Sequence, residues 1–221
     1  MQPTIVFHAL AVSGYSAKVR IVLAAKRIAH QEREPPGGYR SAAYRAIVPM
    51  GTVPAIVVGD LVLSESEVIG EYLEERFPEP RMLPESPELR ARVRFLSRFH
   101  DLYLEPAVRG LFAQVDPRRR DESVIGARAR EIAGHIERLE CFVAPGPFAL
   151  TPWLSLGDCG FATTLPLARL LLAATGRELA LTPRLEQWLA AVDRHPAVTS
   201  ALAQWRPATT AWIAGQLGDR P

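Results

Sequence analysis

The sequence predicts an α/β unit followed by an all-α unit. Short β-branched apolar runs alternate with stretches of helical spacing as far as Phe77. Pro78, Pro80, Pro84 and Pro87 then break the chain. From Glu88 onward apolar residues keep helical periodicity and no stretch reads as a strand. The division is residues 1–78, a linker at 79–87, and residues 88–221.

Each element has its own signal. Thr4 to Leu10 is a buried strand, and Ala11 to Tyr15 a loop holding Ser13-Gly14. Ser16 to Ala29 is a helix, with Val19, Val22 and Leu23 at helical spacing. Gln31 to Glu34 is a second strand, closed by the breaker Pro35-Pro36-Gly37-Gly38. Tyr39 to Ile47 reads as a short helix. Val53 to Val58 and Leu61 to Leu63 form a hairpin around Gly59-Asp60. Glu65 to Phe77 is a helix, so the order is β-α-β-α-β-β-α, a small mixed sheet with helices. In the second unit, helices run through Leu89 to Phe112, Glu122 to Val143, Leu156 to Thr175 and Arg184 to Val192. Apolar periodicity continues through Val198, Leu202 and Trp205. Pro106 and Pro166 lie inside these patterns and should kink or interrupt them.

Composition narrows the class. Of 221 residues, 48% are hydrophobic and 23% charged, an ordinary globular balance. A net charge of +2 argues for neither nucleic acid nor a membrane surface as partner. The cations are nearly all arginine, with Lys18 and Lys26 the only lysines. Cys141 and Cys159 are too few for a disulfide framework or a zinc site, so both are expected as small core hydrophobes and no metal is expected. No charged stretch precedes the first apolar run, which argues against a secretory leader. The apolar run Phe161 to Thr175 contains Pro166 and Arg169 and is too short for a bilayer. A cytoplasmic protein is the expectation.

Two motifs stand out. In Pro49-Met-Gly-Thr-Val-Pro-Ala-Ile56, Pro54 cannot donate to a ladder and belongs at a strand start, where a cis bond can be held. Ser64, Glu65 and Ser66 then offer hydroxyls, a carboxylate and free N–H groups at a helix start, a place for a small anion. Together they describe a pocket for the backbone and terminal charges of a short peptide. Ser155-Leu-Gly-Asp158 is a capping box, worth about 1 kcal/mol as a structural cap.

Ser13-Gly-Tyr-Ser-Ala-Lys-Val-Arg-Ile-Val-Leu23, Val53-Pro-Ala-Ile56, Ser64-Glu-Ser66, Phe77-Pro78 and Ser155 to Asp158 occur in this order along nearly the whole chain. The ordered set resembles the cytosolic glutathione transferases. That resemblance implies a thioredoxin-like N-terminal domain followed by a helical C-terminal domain. The first loop is similar to that of the serine-type zeta and tau classes, whose Ser-x-x-Ser-x-(Arg/Lys)-Val-(Arg/Lys) pattern meets Ser13, Ser16, Lys18, Val19 and Arg20. Zeta enzymes usually carry cysteine where Tyr15 stands, and tau enzymes proline where Gly14 stands, so no class is assigned. No cysteine precedes Cys141, which argues against the disulfide exchange of cysteine-loop members.

The resemblance implies roles. Glutathione is the expected cosubstrate, with no metal. Ser13 would donate its hydroxyl to the glutathione sulfur; a plain helix cap is the other reading of this serine. Ser16 is the backup and Tyr15 a weaker candidate. A charge-assisted hydrogen bond and the helix N-terminus both favour the thiolate. Val53 would pair its backbone with the cysteinyl residue, while Pro54 holds that edge open. Ser66 would bind the γ-glutamyl carboxylate, Glu65 the α-ammonium, and Arg40 the glycyl carboxylate. Phe99, His100, Leu102, Tyr103 and Phe112 would line the site of a small electrophile. His8 and Asp101 are minor candidates, the latter toward a partner's glutathione. The expected activity is conjugation to a hydrophobic electrophile; the alternatives are an isomerase of the maleylacetoacetate type and a non-catalytic binding protein. A homodimer is expected.

Overall fold

The computed structural model describes residues 4–218. Its sheet is mixed and four-stranded: β1 (Ile5–His8), β2 (His30–Arg33), β3 (Ala55–Val58) and β4 (Leu61–Ser64), in the order β2-β1-β3-β4. β1 runs parallel to β2, Ile5 opposite His30, and antiparallel to β3, Ile5 opposite Val58. β3 and β4 form the expected hairpin. The central strands are apolar and largely buried, whereas edge strand β2 is polar and exposed, which discourages further pairing.

Helix α1 (Gly14–Ala25) begins two residues before the expected start, because Ser13 itself caps it: the Ser16 N–H donates to Ser13 Oγ at 3.1 Å. It also stops short of Ala29. Arg27 turns left-handed at φ 54°, and the Ile28 N–H closes on Leu23 O. Helix α2 (Ala42–Arg45) is one turn rather than the expected span of 39–47, capped by Ser41 and followed by Gly51 at φ 63°. β3 begins at Ala55, not Val53, since the Val53–Pro54 bond is cis and Pro54 has no N–H to pair. Helix α3 spans Ser66–Arg76.

The segment after α3 is tied down. The Glu74 carboxylate accepts from the Met82 and Leu83 N–H groups and pairs with the buried Lys26 at 2.5 Å. Lys26 Nζ also donates to Phe77 O and Pro80 O.

The helical half comprises α4 (Pro87–Phe99), a π-helical turn (His100–Leu104), α5 (Glu105–Arg109), α6 (Glu122–Phe142), α7 (Leu156–Cys159), α8 (Phe161–Ala174), α9 (Pro183–Arg194) and α10 (Pro196–Leu217). The single helix expected over 89–112 is therefore interrupted. Pro106 cannot donate to Leu102 and its ring needs room against that carbonyl, which the wider π turn supplies. Pro166, by contrast, sits within an unbroken α8, and Pro207 within an unbroken α10.

One core runs through both halves, joining Phe7, Ile56 and Ile69 to Leu96, Leu171 and Trp188. Cys159 lies in it, but Cys141 is exposed on the last turn of α6, against expectation. The stretch Leu156–Ala174 proves long and apolar enough to cross a membrane by length and composition, again against expectation; 78% of it is buried inside the fold, as a core helix requires.

The capping box holds more than a helix end. Asp158 Oδ2 accepts from Ser155 N and Oγ (2.8 and 2.6 Å), and Oδ1 accepts from Ala149 N (2.9 Å) and the Trp188 indole (2.8 Å). Burial pushes this carboxyl up, while the donors favour its charged form. Asp158→Ala would strand these donors at about 1–3 kcal/mol each. The urea midpoint should fall by an equivalent of at least about 3 kcal/mol, with Asp158→Asn recovering part; a loss near the 1 kcal/mol of a simple cap would refute the larger role.

Candidate functional site

Where the sheet meets the helical half, a cavity of about 510 Å³ opens, within the usual range for small-molecule sites. Its floor comes from the first unit. Ser13 and Gly14 enter at the α1 N-terminus, Val53 and Pro54 before β3, and Glu65 and Ser66 at the α3 N-terminus.

Ser13 is half-buried. Its oxygen accepts the Ser16 N–H, and its own proton has no acceptor among the described residues. Ser16 is fully buried, its Oγ 3.4 Å from Leu10 N, and does not reach the cavity. Ladder pairing begins at Ala55, and no described loop hydrogen bond involves Val53, so its backbone is presented unpaired. The buried Tyr44 supports this edge, its hydroxyl donating to Thr52 O at 2.8 Å. Glu65 has φ 71°, a left-handed conformation that costs a non-glycine residue on the order of 1 kcal/mol or more. That turn starts α3 with no side-chain cap, leaving the N–H groups at Ser66 open to the cavity. The floor thus combines a hydroxyl donor, a free strand edge, and a helix start beside a carboxylate.

The facing wall comes from the helical half. Tyr15, in the first turn of α1, donates its hydroxyl to Glu105 Oε2 at 3.0 Å. Burial and the Glu105 charge push the phenol well above its ordinary value, so it stays protonated. Glu105 also grips Arg109, whose guanidinium lies 5.6 Å from the Tyr15 ring centre and 5.1 Å from that of Phe112. Phe112 in turn packs on Trp212 of α10.

At one side the cavity wall runs into a buried ion cluster through His100 and Asp101. Lys18 Nζ donates to Glu67 Oε2 at 2.8 Å, Ser97 Oγ at 3.1 Å and both Asp101 oxygens at 3.0 Å. Ser97 Oγ also contacts Glu67. His100 places Nδ1 2.7 Å from Asp101 and Nε2 2.7 Å from Thr164 Oγ1. A Cβ at Gly160 would come within 2.6 Å of the imidazole, so glycine makes room for the ring. Burial pushes the Asp101 carboxyl up, but the His100 hydrogen bond and the Lys18 charge outweigh it and hold the group at about 2.

Several expected site residues lie elsewhere. Ser16 is in the core. Arg40 is exposed, stacks 5.0 Å over Tyr39, and leaves Tyr39 to line the cavity. Phe99 and Tyr103 stack on each other at 5.7 Å on a different helix face, Phe99 against Phe142 and Tyr103 exposed. His8 is buried against Tyr44. Helical phase explains the miss: Arg98, Asp101, Leu102, Glu105 and Arg109 share the cavity face, and 99 and 103 fall beside it. His100, Leu102 and Phe112 do line the cavity. Glu105, Arg109, Thr163, Thr164 and Trp212 were not anticipated. The lysines held a usable signal: in an arginine-rich chain, both are buried among carboxylates, where a compact ammonium fits.

Residues 7–81 match the family profile described as glutathione S-transferase, N-terminal domain. A stringent starvation protein A homolog of Coxiella burnetii is 45% identical over 82 residues, 37% of this chain and 39% of that protein. A maleylacetoacetate isomerase of Pseudomonas aeruginosa is 42% identical over 86 residues, 36% of this chain and 40% of that protein. The chain thus matches about two-fifths of the length of these relatives. In three dimensions, a rice glutathione transferase solved with glutathione superposes with a TM-score of 0.83 at 22% identity, covering 98% of this chain and 97% of that one. The match to a glutathione S-transferase profile is confined to residues 7–81, and the whole chain has the glutathione transferase fold: a thioredoxin-like domain followed by a helical one.

The ion cluster carries a pH signature. Asp101 has its ordinary value near 3.8 when unfolded and about 2 when folded. The ionised carboxylate therefore stabilises the fold above about pH 4, and this contribution is lost as pH falls toward 2. The loss is on the order of 2 kcal/mol. Urea unfolding across pH 2–6 should show this acid limb, and Asp101→Asn should flatten it; an equally steep limb in the variant would exclude Asp101 as its source.

Proposed function

We propose that this chain, built on the glutathione transferase fold, binds glutathione along the Val53–Pro54 edge and keeps its sulfur anionic through Ser13 for attack on a small, largely hydrophobic electrophile. The observation that carries the reading is Ser13. Its acceptor side is used by the Ser16 N–H while its proton is uncommitted, at a helix N-terminus inside the cavity. A free thiol near pKa 8.5 is only a few per cent ionised at neutral pH, and both the hydroxyl and the helix end favour the anion. Val53 would pair with the cysteinyl backbone as an added strand. The N–H groups at Ser66 would take the γ-glutamyl carboxylate and Glu65 the α-ammonium. Arg40, outside the cavity, is given no part. The electrophile would rest against Leu102, Phe112 and Trp212. The two units are taken as 1–78 and 88–221, with 79–87 between them. Conjugation forms a bond from sulfur to the electrophilic carbon, and holding both reactants in one cavity supplies the proximity.

Two other readings have support. Identity with maleylacetoacetate isomerases favours a glutathione-dependent isomerisation, though Tyr15 stands where zeta enzymes carry cysteine. Identity with stringent starvation protein A homologs favours a binding role without turnover. Retention of Ser13, Val53-Pro54 and Glu65-Ser66 at one cavity speaks for catalysis.

A homodimer is also proposed. Met50, Val62, Val68 and Phe95 are exposed large apolar side chains that a second copy of the chain could cover. The exposed Cys141 suits a reducing, cytoplasmic setting.

Ser13→Ala should strip most thiolate absorbance from the glutathione complex while calorimetry finds binding near normal. An unchanged thiol pKa in that variant would remove Ser13 from the mechanism. Light scattering should return about twice the 24.4 kDa chain mass, and a monomer at micromolar concentration would contradict the dimer.

A further inference from the structure

A tyrosine outside the cavity holds one of its edges. The segment between β2 and β3, residues 34–54, contains a single helical turn, α2, and Tyr44 of that turn is fully buried. Its ring packs with Val48, Ala55 and Val53 in a small cluster of its own, and His8 lies against it at 5.4 Å. A phenylalanine would fill that space equally well. The hydroxyl adds one thing: it donates to Thr52 O at 2.8 Å. Among the described residues, no other side chain bonds to the backbone of residues 49–54. Burial pushes this phenol up to about 12, so it stays a donor at neutral pH.

Thr52 and Val53 share a trans peptide, whose carbonyl and N–H point to opposite sides. The bond to Tyr44 draws the carbonyl inward, toward the small cluster. The Val53 N–H is thereby turned outward, to the side where Thr52 and Val53 line the cavity and no described backbone group takes it. We propose that Tyr44 is a positioning residue for the peptide cosubstrate: its hydroxyl fixes the Thr52–Val53 peptide plane so that the Val53 N–H meets a ligand carbonyl without prior rotation. This deepens the glutathione reading and rests on it. Without the hydroxyl the plane is free to turn, and its ordering is then charged against binding. Ionisation of the sulfur is a separate matter, because Ser13 belongs to the start of α1 and not to this loop. Tyr44 therefore governs affinity for the tripeptide backbone, and Ser13 the charge on the thiol.

The test is calorimetry with two tripeptides: glutathione, and γ-glutamyl-α-aminobutyrylglycine, which keeps the backbone and lacks the sulfur. Tyr44→Phe should raise both dissociation constants by the same factor, at least about fivefold, the size of one neutral hydrogen bond. The thiol pKa of bound glutathione, read from thiolate absorbance at saturation, should keep its wild-type value. Tyr44→p-aminophenylalanine keeps a donor at the end of the ring and should recover most of the affinity. A hydroxyl that serves stability alone would lower the melting temperature and leave both dissociation constants unchanged. That result overturns the proposal, as does a loss confined to glutathione. If Tyr44→Phe does not fold, the wild type decides: the NMR signal of the Val53 amide proton should move on adding the sulfur-free tripeptide, and an amide that does not respond overturns the proposal. Unchanged affinities in Tyr44→Phe leave the glutathione reading standing. Wild-type protein that binds neither tripeptide overturns the two together.

Discussion

The buried ammonium of Lys18 is the point on which the two halves of this protein are registered. It sits on α1 and takes Glu67 from α3, Ser97 from α4 and Asp101 from the π turn. Taking these charges out of water is costly unless every partner is in place, so the cluster tolerates little sliding of one half on the other. Stranding one member of such a buried set costs about 3–5 kcal/mol, far more than its worth at a surface. The Asp101–His100–Thr164 chain then carries that register into α8.

The cavity is a consequence of this docking. Its floor is backbone-rich: two helix starts, an unpaired strand edge and a left-handed Glu65. Its wall is side-chain-rich: Tyr15, Glu105, Arg109, Phe112 and Trp212. A floor of backbone groups suits a ligand that is itself a peptide, recognised by geometry fixed in the main chain. A wall of side chains can change with little effect on the fold, which is how a site's chemistry varies on a fixed scaffold.

Asp158 plays the corresponding part inside the helical half. A motif that reads locally as a helix cap also collects the Ala149 N–H and the Trp188 indole, joining α7, α9 and the loop before α7. The reading of Ser155 to Asp158 as a cap was correct and incomplete, because a capping box is defined over four residues and its further partners lie nine and thirty positions away. The same limit explains Pro106 and Pro166. Both prolines lack the N–H that would bond four residues back, yet the backbone widens into a π turn only before Pro106, while α8 stays α-helical through Pro166.

The sequence by itself determined what depends on near neighbours: strands from short apolar β-branched runs, helices from period and caps, the cis-capable Val53–Pro54 turn, the Ser13 cap, and the order of motifs that carries the resemblance to glutathione transferases. It set the two-part architecture because apolar spacing changes character after the proline-rich break. Tertiary structure alone decided which faces meet. Phase along α4 and α5 put Glu105 and Arg109, rather than Phe99 and Tyr103, into the cavity. Docking of α1 buried Ser16 and left Ser13 accessible. Lys18, Glu67 and Asp101 lie dozens of residues apart, and no local rule links them. Their pairing follows only when the packed halves exclude water and the charges have nowhere else to turn.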